Sequence, residues 1–167
     1  MRNVSTDRSS RSNITEELGH QLGERLSTAV VLFHSAVAER LGLNVTDWKC
    51  ASILWREGPC NPSRLAEITG MSTAATTQVI DRLERAGIVR RERDPHDRRK
   101  VVLQPVANPE FSARVQEVLA GLVRAMTDVM AGYTLDQLAT ILDFVEKTSL
   151  VLERETVRLR RPDGMMR

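Results

Sequence analysis

The residues best suited to chemistry fall in two short runs. At helical spacing, Thr73, Ala74, Thr77, Gln78, Asp81 and Arg82 share one face, while Thr76, Val79, Ile80, Leu83 and Ala86 share the other. The opening turns of the first face hold small or hydrogen-bonding groups where a merely solvated face would carry Glu and Lys. Such groups suit the donors, acceptors and methyl groups on the edges of nucleic-acid bases, and Ser72 begins a helix whose N-terminus attracts phosphate. The second run lies between Ile88 and Leu103. There, six basic residues (Arg90, Arg91, Arg93, Arg98, Arg99, Lys100) stand against three acidic ones (Glu92, Asp94, Asp97).

Local signals define the elements that must position these groups. Asn61-Pro62 starts a helix, with the Asn side chain accepting a backbone N–H and Pro at a position that needs no donor; Gly70 stops it. Ser72 caps the next helix, which runs to Gly87. Ile88–Arg93 and the β-branched run Val101–Leu103 are then two strands joined by Asp94-Pro95-His96-Asp97, a hairpin with a longer connection than a two-residue turn. Helix, display helix and basic hairpin compose a winged helix-turn-helix.

The run Asp81-Arg82-Leu83-Glu84-Arg85-Ala86-Gly87-Ile88-Val89, followed by Asp94-Pro95-His96-Asp97-Arg98-Arg99, resembles the signature of the MarR family (multiple antibiotic resistance regulators) of transcriptional regulators. Thr46-Asp47-Trp48 and Leu65-Ala66-Glu67 fit the second and third helices of that family, and the resemblance covers about Ile14 to Leu159. It implies a DNA-binding homodimer on a pseudo-palindromic site. Ser72, Thr73, Ala74, Thr77 and Gln78 would meet the major groove; Gln78 stands where relatives often carry Arg, which shifts its base preference toward adenine. Arg99 would enter the minor groove with Asp97 orienting it and Arg98 and Lys100 nearby. Arg82 and Arg91 would serve the DNA backbone or pair with neighbouring acids. The chain departs from the family at Pro105-Val106 and Asn108-Pro109, where the wing ends and the next helix begins. The resemblance also implies a small aromatic or phenolic acid held between the dimer helices and the winged domain, acting by release of DNA. Phe33, His34, Trp48 and Trp55 are candidates to line its cavity, although aromatic residues at helical spacing are more often plain core.

The 167-residue chain as a whole fits one mainly helical domain: aromatics make up only 4%, and the net charge of +2 is too mild to indicate a partner by itself. Residues 1–12 read as a flexible basic arm. From Ile14 to Leu41, Leu18, Leu22, Leu26, Ala29, Val30, Phe33, Val37 and Leu41 form an apolar ridge with Val31 and Leu32 beside it. A helix over Thr46–Gly58, capped by Thr46, turns Trp48, Ala51, Leu54 and Trp55 inward. Asn108-Pro109 opens a long helix to Gly132, and Thr134 with Gln137 makes a capping box for another that ends in Arg158–Arg161. These long apolar helices, 13–43 and 107–159, exceed what the winged domain at 44–106 can cover, and a two-fold dimer would bury them. Residues 160–167 read as a tail.

Other chemistries find less support. Cys50 and Cys60 do not make a metal cluster, and in a reducing compartment they read as a buried small hydrophobe and a loop thiol. His20 and His34 lack a ligand partner at helical spacing. No Gly-rich phosphate loop or nucleophile beside a base is present, so neither an enzyme nor a cofactor is expected. No run approaches a membrane span or a signal peptide, which points to the cytoplasm. The alternatives kept open are a thiol-based redox-sensing regulator and a winged-helix module for protein contacts.

Overall fold

The computed structural model describes residues 4–95 and 97–160; residues 1–3 of the arm, His96 of the wing turn and residues 161–167 of the tail lie outside the described residues. The chain divides into two compact units, Met1–Val45 and Thr46–Arg167.

The first unit is helical from Val4 to Leu41. Helix α1 (Val4–His20), a π-helical segment (Gln21–Leu26) and α2 (Ser27–Leu41) follow without a break. The helix thus begins at Val4, not Ile14. Residues 4–13 lack apolar periodicity, but they contain neither Gly nor Pro, so nothing interrupts the backbone ladder. Gly42, with φ 72°, closes α2, and the Leu43 N–H reaches back to the Ala38 carbonyl at 2.9 Å. Of the expected ridge, Val37 and Leu41 are buried, whereas Leu18, Leu26 and Val30 are exposed, together with Val31 and Leu32. The stripe is therefore an outward apolar face along most of its length.

In the second unit, α3 (Val45–Glu57) starts one residue before Thr46, which therefore lies inside the first turn and not at the cap. Trp48, Ala51 and Leu54 are buried as the spacing predicts. Trp55 is not: it is 38% exposed, its ring resting on Phe111. Helix α4 (Pro62–Thr69) has the expected start and stop, with Asn61 Oδ1 accepting the Arg64 N–H at 2.8 Å and Gly70 at φ 64°. Helix α5 (Thr73–Arg85) buries Thr76, Val79, Ile80 and Leu83, but Ala86 is exposed because the helix has already ended.

Strands β1 (Val89–Arg93) and β2 (Val101–Pro105) pair antiparallel, Val89 opposite Pro105 and Arg93 opposite Val101. The second strand runs two residues beyond Leu103. Pro is tolerated at its last position, and the Val106 N–H makes the next bond, 2.9 Å to the Ile88 carbonyl. Cys60 and Leu103 exchange two backbone hydrogen bonds (3.3 and 2.8 Å), so the α3–α4 connection forms a third rung of the wing. The core joins Trp48, Leu54, Leu65, Ile80, Leu83, Val89 and Leu103.

Helix α6 (Pro109–Ala131) is capped by Asn108, whose side chain accepts the Phe111 N–H at 2.9 Å. Helix α7 (Leu135–Arg160) opens on the capping box, Thr134 N–H to Gln137 at 2.8 Å and Gln137 N–H to Thr134 at 3.3 Å. At 23 and 26 residues they extend about 35 and 39 Å, yet α6 buries only Phe111 and α7 buries no residue fully. No single described helix is long and apolar enough to cross a membrane.

Candidate nucleic-acid interface

Helix α5 owes its position to a cap and a buried stripe. Ser72 Oγ accepts the Ala75 N–H at 3.2 Å, and the buried Thr76 returns its hydroxyl to the Ser72 carbonyl at 2.9 Å. With Val79, Ile80 and Leu83 in the core, Ser72, Thr73, Ala74, Thr77 and Gln78 all lie exposed, the face expected from spacing. The Thr77 hydroxyl also turns back, donating to the Thr73 carbonyl at 2.9 Å.

The wing connection is built by two aspartates. Asp94 donates its N–H to the Lys100 carbonyl (3.0 Å) and accepts the Asp97 N–H on Oδ1 (3.2 Å); Lys100 N–H bonds the Asp97 carbonyl (2.8 Å). Asp97 Oδ1 in turn accepts the backbone N–H of Arg99 at 3.1 Å. Asp97 thus acts on Arg99 through the loop backbone. Its carboxylate touches Lys100 Nζ only loosely, at 3.8 Å. Arg98, Arg99 and Lys100 are exposed, and no ion pair among the described residues takes the side chain of Arg93, Arg98 or Arg99.

Arg82 and Arg91 have different surroundings. Arg82 lays a fork on Asp47, Nε to Oδ2 and Nη2 to Oδ1, both 2.7 Å, and these bonds hold its guanidinium above the ordinary arginine range. Asp47 is 3% exposed. Arg91 reaches Asp81 with one nitrogen and Glu84 with the other, while its backbone N–H bonds Glu84 Oε1 at 3.0 Å. Of the two roles left open for this pair, the structure shows pairing with acids. Arg82 ties α5 to α3, and Arg91 ties it to β1. No local pattern marks Asp47 for this role, because its partner is 35 residues away. Arg85, in the last turn of α5, and Arg93, at the end of β1, are absent from the expected contact set and are both exposed.

The candidate effector residues occur in separate groups. Phe33 and His34 meet edge to face at 5.5 Å. Trp48 and Trp55 meet at 6.0 Å, and Trp55 continues to Phe111 at 5.7 Å. Trp48 is core; Trp55 presents a face to solvent. A cleft of about 620 Å³ lies elsewhere, between the end of α3, α4 and the last turns of α7, and is lined by Arg56, Glu57, Arg64, Glu67, Glu153 and Arg154 among others. None of the four candidates borders it. Contrary to the expectation from spacing, His20 does have a partner at i+4: its Nε2 lies 3.2 Å from Glu24, a contact across one turn, and no group of three potential metal ligands occurs among the described residues.

The sequence profile of the MarR family matches residues 43–101, from just before α3 to the first residue of β2. The HTH-type transcriptional regulator YcgE of Bacillus subtilis (strain 168) is 40% identical over 153 residues, spanning 92% of this chain and 97% of its own. The chain belongs to the MarR family. It is a DNA-binding transcriptional regulator of that family. A MarR protein from Peptoclostridium difficile superposes with a TM-score of 0.59 at 22% identity, over 88% of this chain and 92% of that one. The overoxidized AbfR bound to DNA superposes at 0.54 and 18% identity, over 87% and 98%. With both, the likeness is one of fold: a MarR-type winged helix-turn-helix with long flanking helices.

Proposed function

We propose that this MarR-family chain is a ligand-responsive repressor that binds a pseudo-palindromic operator as a homodimer in the cytoplasm. The observation that carries the reading is the uncharged exposed face of α5 beside a wing connection that bears three exposed cations. A major groove about 12 Å wide admits such a helix, and a guanidinium suits the narrow, electronegative minor groove beside it. Ser72, Thr73, Ala74, Thr77 and Gln78 would meet bases or the adjoining backbone. Arg99 would take the minor groove and Arg98 and Lys100 the phosphates, with Asp97 shaping the loop beneath them. AbfR, similar in fold, is solved bound to DNA, which supports this mode.

Homodimerisation is supported by the exposed apolar residues of the long helices, among them Val123 (61%), Val129 (55%) and Leu142 (58%). An apolar face of this extent marks an association surface, and two-fold pairing is the simplest closed solution. It would set two α5 helices about 34 Å apart, one turn of DNA. An aromatic or phenolic acid acting as effector finds a candidate ring face at Trp55 beside Phe111; p-hydroxybenzoate should quench its fluorescence and weaken operator binding if that face is used. The thiol-sensing alternative fits less well, because burial and the charge of Asp47 push the Cys50 thiol up to about 11 and away from reactivity.

The test is selection of bound sequences from a random duplex pool, with sedimentation of the protein in parallel. A dimer that selects a two-fold symmetric consensus, and an Arg99→Ala variant that binds it far more weakly, would bear out the reading. A monomer, or a protein with no preference among duplexes, would overturn it.

A further inference from the structure

We propose that α5 selects A·T base pairs, with Gln78 taking an adenine and the methyl groups of Ala74 and Thr77 lying against thymines. This rests on the operator-binding reading above and names the sequence class that the same face accepts.

From Thr73 to Ile80 the helix holds no charged residue. The residues it exposes there are Thr73, Ala74, Thr77 and Gln78. The next two side chains, Asp81 and Arg82, are already engaged, the first by Arg91 and the second by Asp47. Among the described residues the other arginine of α5 is Arg85, in the last turn, whose Nε donates to the Asp81 carbonyl at 3.2 Å. The guanidinium fork that matches N7 and O6 of guanine is therefore missing from the first two turns of the helix. So is a free carboxylate to accept from cytosine N4.

What remains is complementary to the other base pair. A Gln side chain offers one acceptor and an amide donor, and adenine presents N6–H₂ beside N7, so two bonds form; guanine presents two acceptors and leaves one group of the amide unmatched. The Thr77 hydroxyl spends its proton on the Thr73 carbonyl, so that side chain offers a base its methyl group and an acceptor oxygen but no donor, and Ala74 is a methyl alone. Both suit the thymine C5-methyl. Charge and base reading are thereby divided between elements: the wing cations supply attraction to phosphate, and neutral contacts from α5 discriminate sequence.

The test uses the full-length protein and the consensus that it selects, resynthesised with 7-deaza-adenine for adenine or uracil for thymine. These remove the N7 acceptor and the methyl group in turn. One symmetric pair of adenines should be sensitive, with affinity falling about tenfold or more on replacement in both half-sites. Gln78→Ala should be indifferent to that replacement, and Gln78→Arg should shift the selected base there toward guanine. Uracil should weaken binding severalfold at the thymines under Ala74 and Thr77. Gln78 is exposed, and equal thermal midpoints would show that its variants are folded. A symmetric consensus with G·C pairs under α5, or one insensitive to 7-deaza-adenine throughout, overturns this proposal and leaves the operator reading standing. Absence of any symmetric consensus overturns the operator reading itself.

Discussion

Arg82 on α5 and Asp47 on α3 meet in a two-pronged pair, 2.7 Å at each prong, with the carboxylate 4% and the guanidinium 36% exposed. Removing one member leaves the other short of its partner in a poorly solvated place. The direction of α5 relative to the core is thus set partly by a charge contact.

Arg82→Ala should lower the free energy of unfolding by about 2 kcal/mol, less than the roughly 3–5 kcal/mol typical of a fully buried pair because the guanidinium is partly solvated. Urea unfolding at fixed protein concentration measures this. The apolar double variant Asp47→Leu with Arg82→Met should recover at least half of the loss. Unchanged stability accompanied by weaker DNA binding would instead make Arg82 a phosphate contact.

Arg91 and Arg99 should separate in salt dependence. Arg99→Ala removes an exposed cation, so the slope of log affinity against log salt should shrink by about one for each phosphate that Arg99 neutralises. Arg91→Ala frees Asp81 and Glu84 beside the display face and loosens β1 from α5. Its affinity should fall with the slope changed little, and with lower stability. If Arg91→Ala flattens the slope as much as Arg99→Ala does, Arg91 is reaching DNA.

Gly70 holds φ 64° at the turn between α4 and α5, and a Cβ there would sit 2.7 Å from Cδ of Arg160 at the end of α7. Gly70→Ala should cost roughly 1–2 kcal/mol from the left-handed backbone, with a smaller addition from displacing Arg160. In an Arg160→Ala background most of the cost should persist. Its disappearance there, followed by thermal or urea unfolding, would show that the side-chain contact dominates.

Cys50 gives a pH signature. Burial, then the charge of Asp47, push its thiol from 9.0 up to about 11, opposed by Arg82. Because the folded state holds the proton more tightly, the associated stability is present in full below about pH 9 and is lost as pH rises toward 11. The loss should be on the order of 2 kcal/mol. Cys50→Ala should show correspondingly less alkaline destabilisation in parallel unfolding titrations; superimposable curves would remove Cys50 as the source. At neutral pH a thiol reagent should label the half-buried Cys60 first.

The helix starts at Asn61, Ser72, Asn108 and Thr134, the stops at Gly58 and Gly70, and the basic hairpin were legible in the residues themselves. Each depends on a bond or a backbone angle spanning a few positions, and capping chemistry leaves a signature at that range. The uncharged face of α5 was legible for the same reason, since helical period alone separates it from the stripe of Thr76, Val79, Ile80 and Leu83. Tertiary structure decided which arginines are committed: nothing near Arg82 in sequence points to Asp47, and nothing near Cys60 points to Leu103. It also turned Trp55 outward against Phe111 and left many apolar residues of α2, α6 and α7 exposed, Val31, Val123 and Leu142 among them. Charge pairing and burial are settled by neighbours brought from far along the chain, which local periodicity cannot encode.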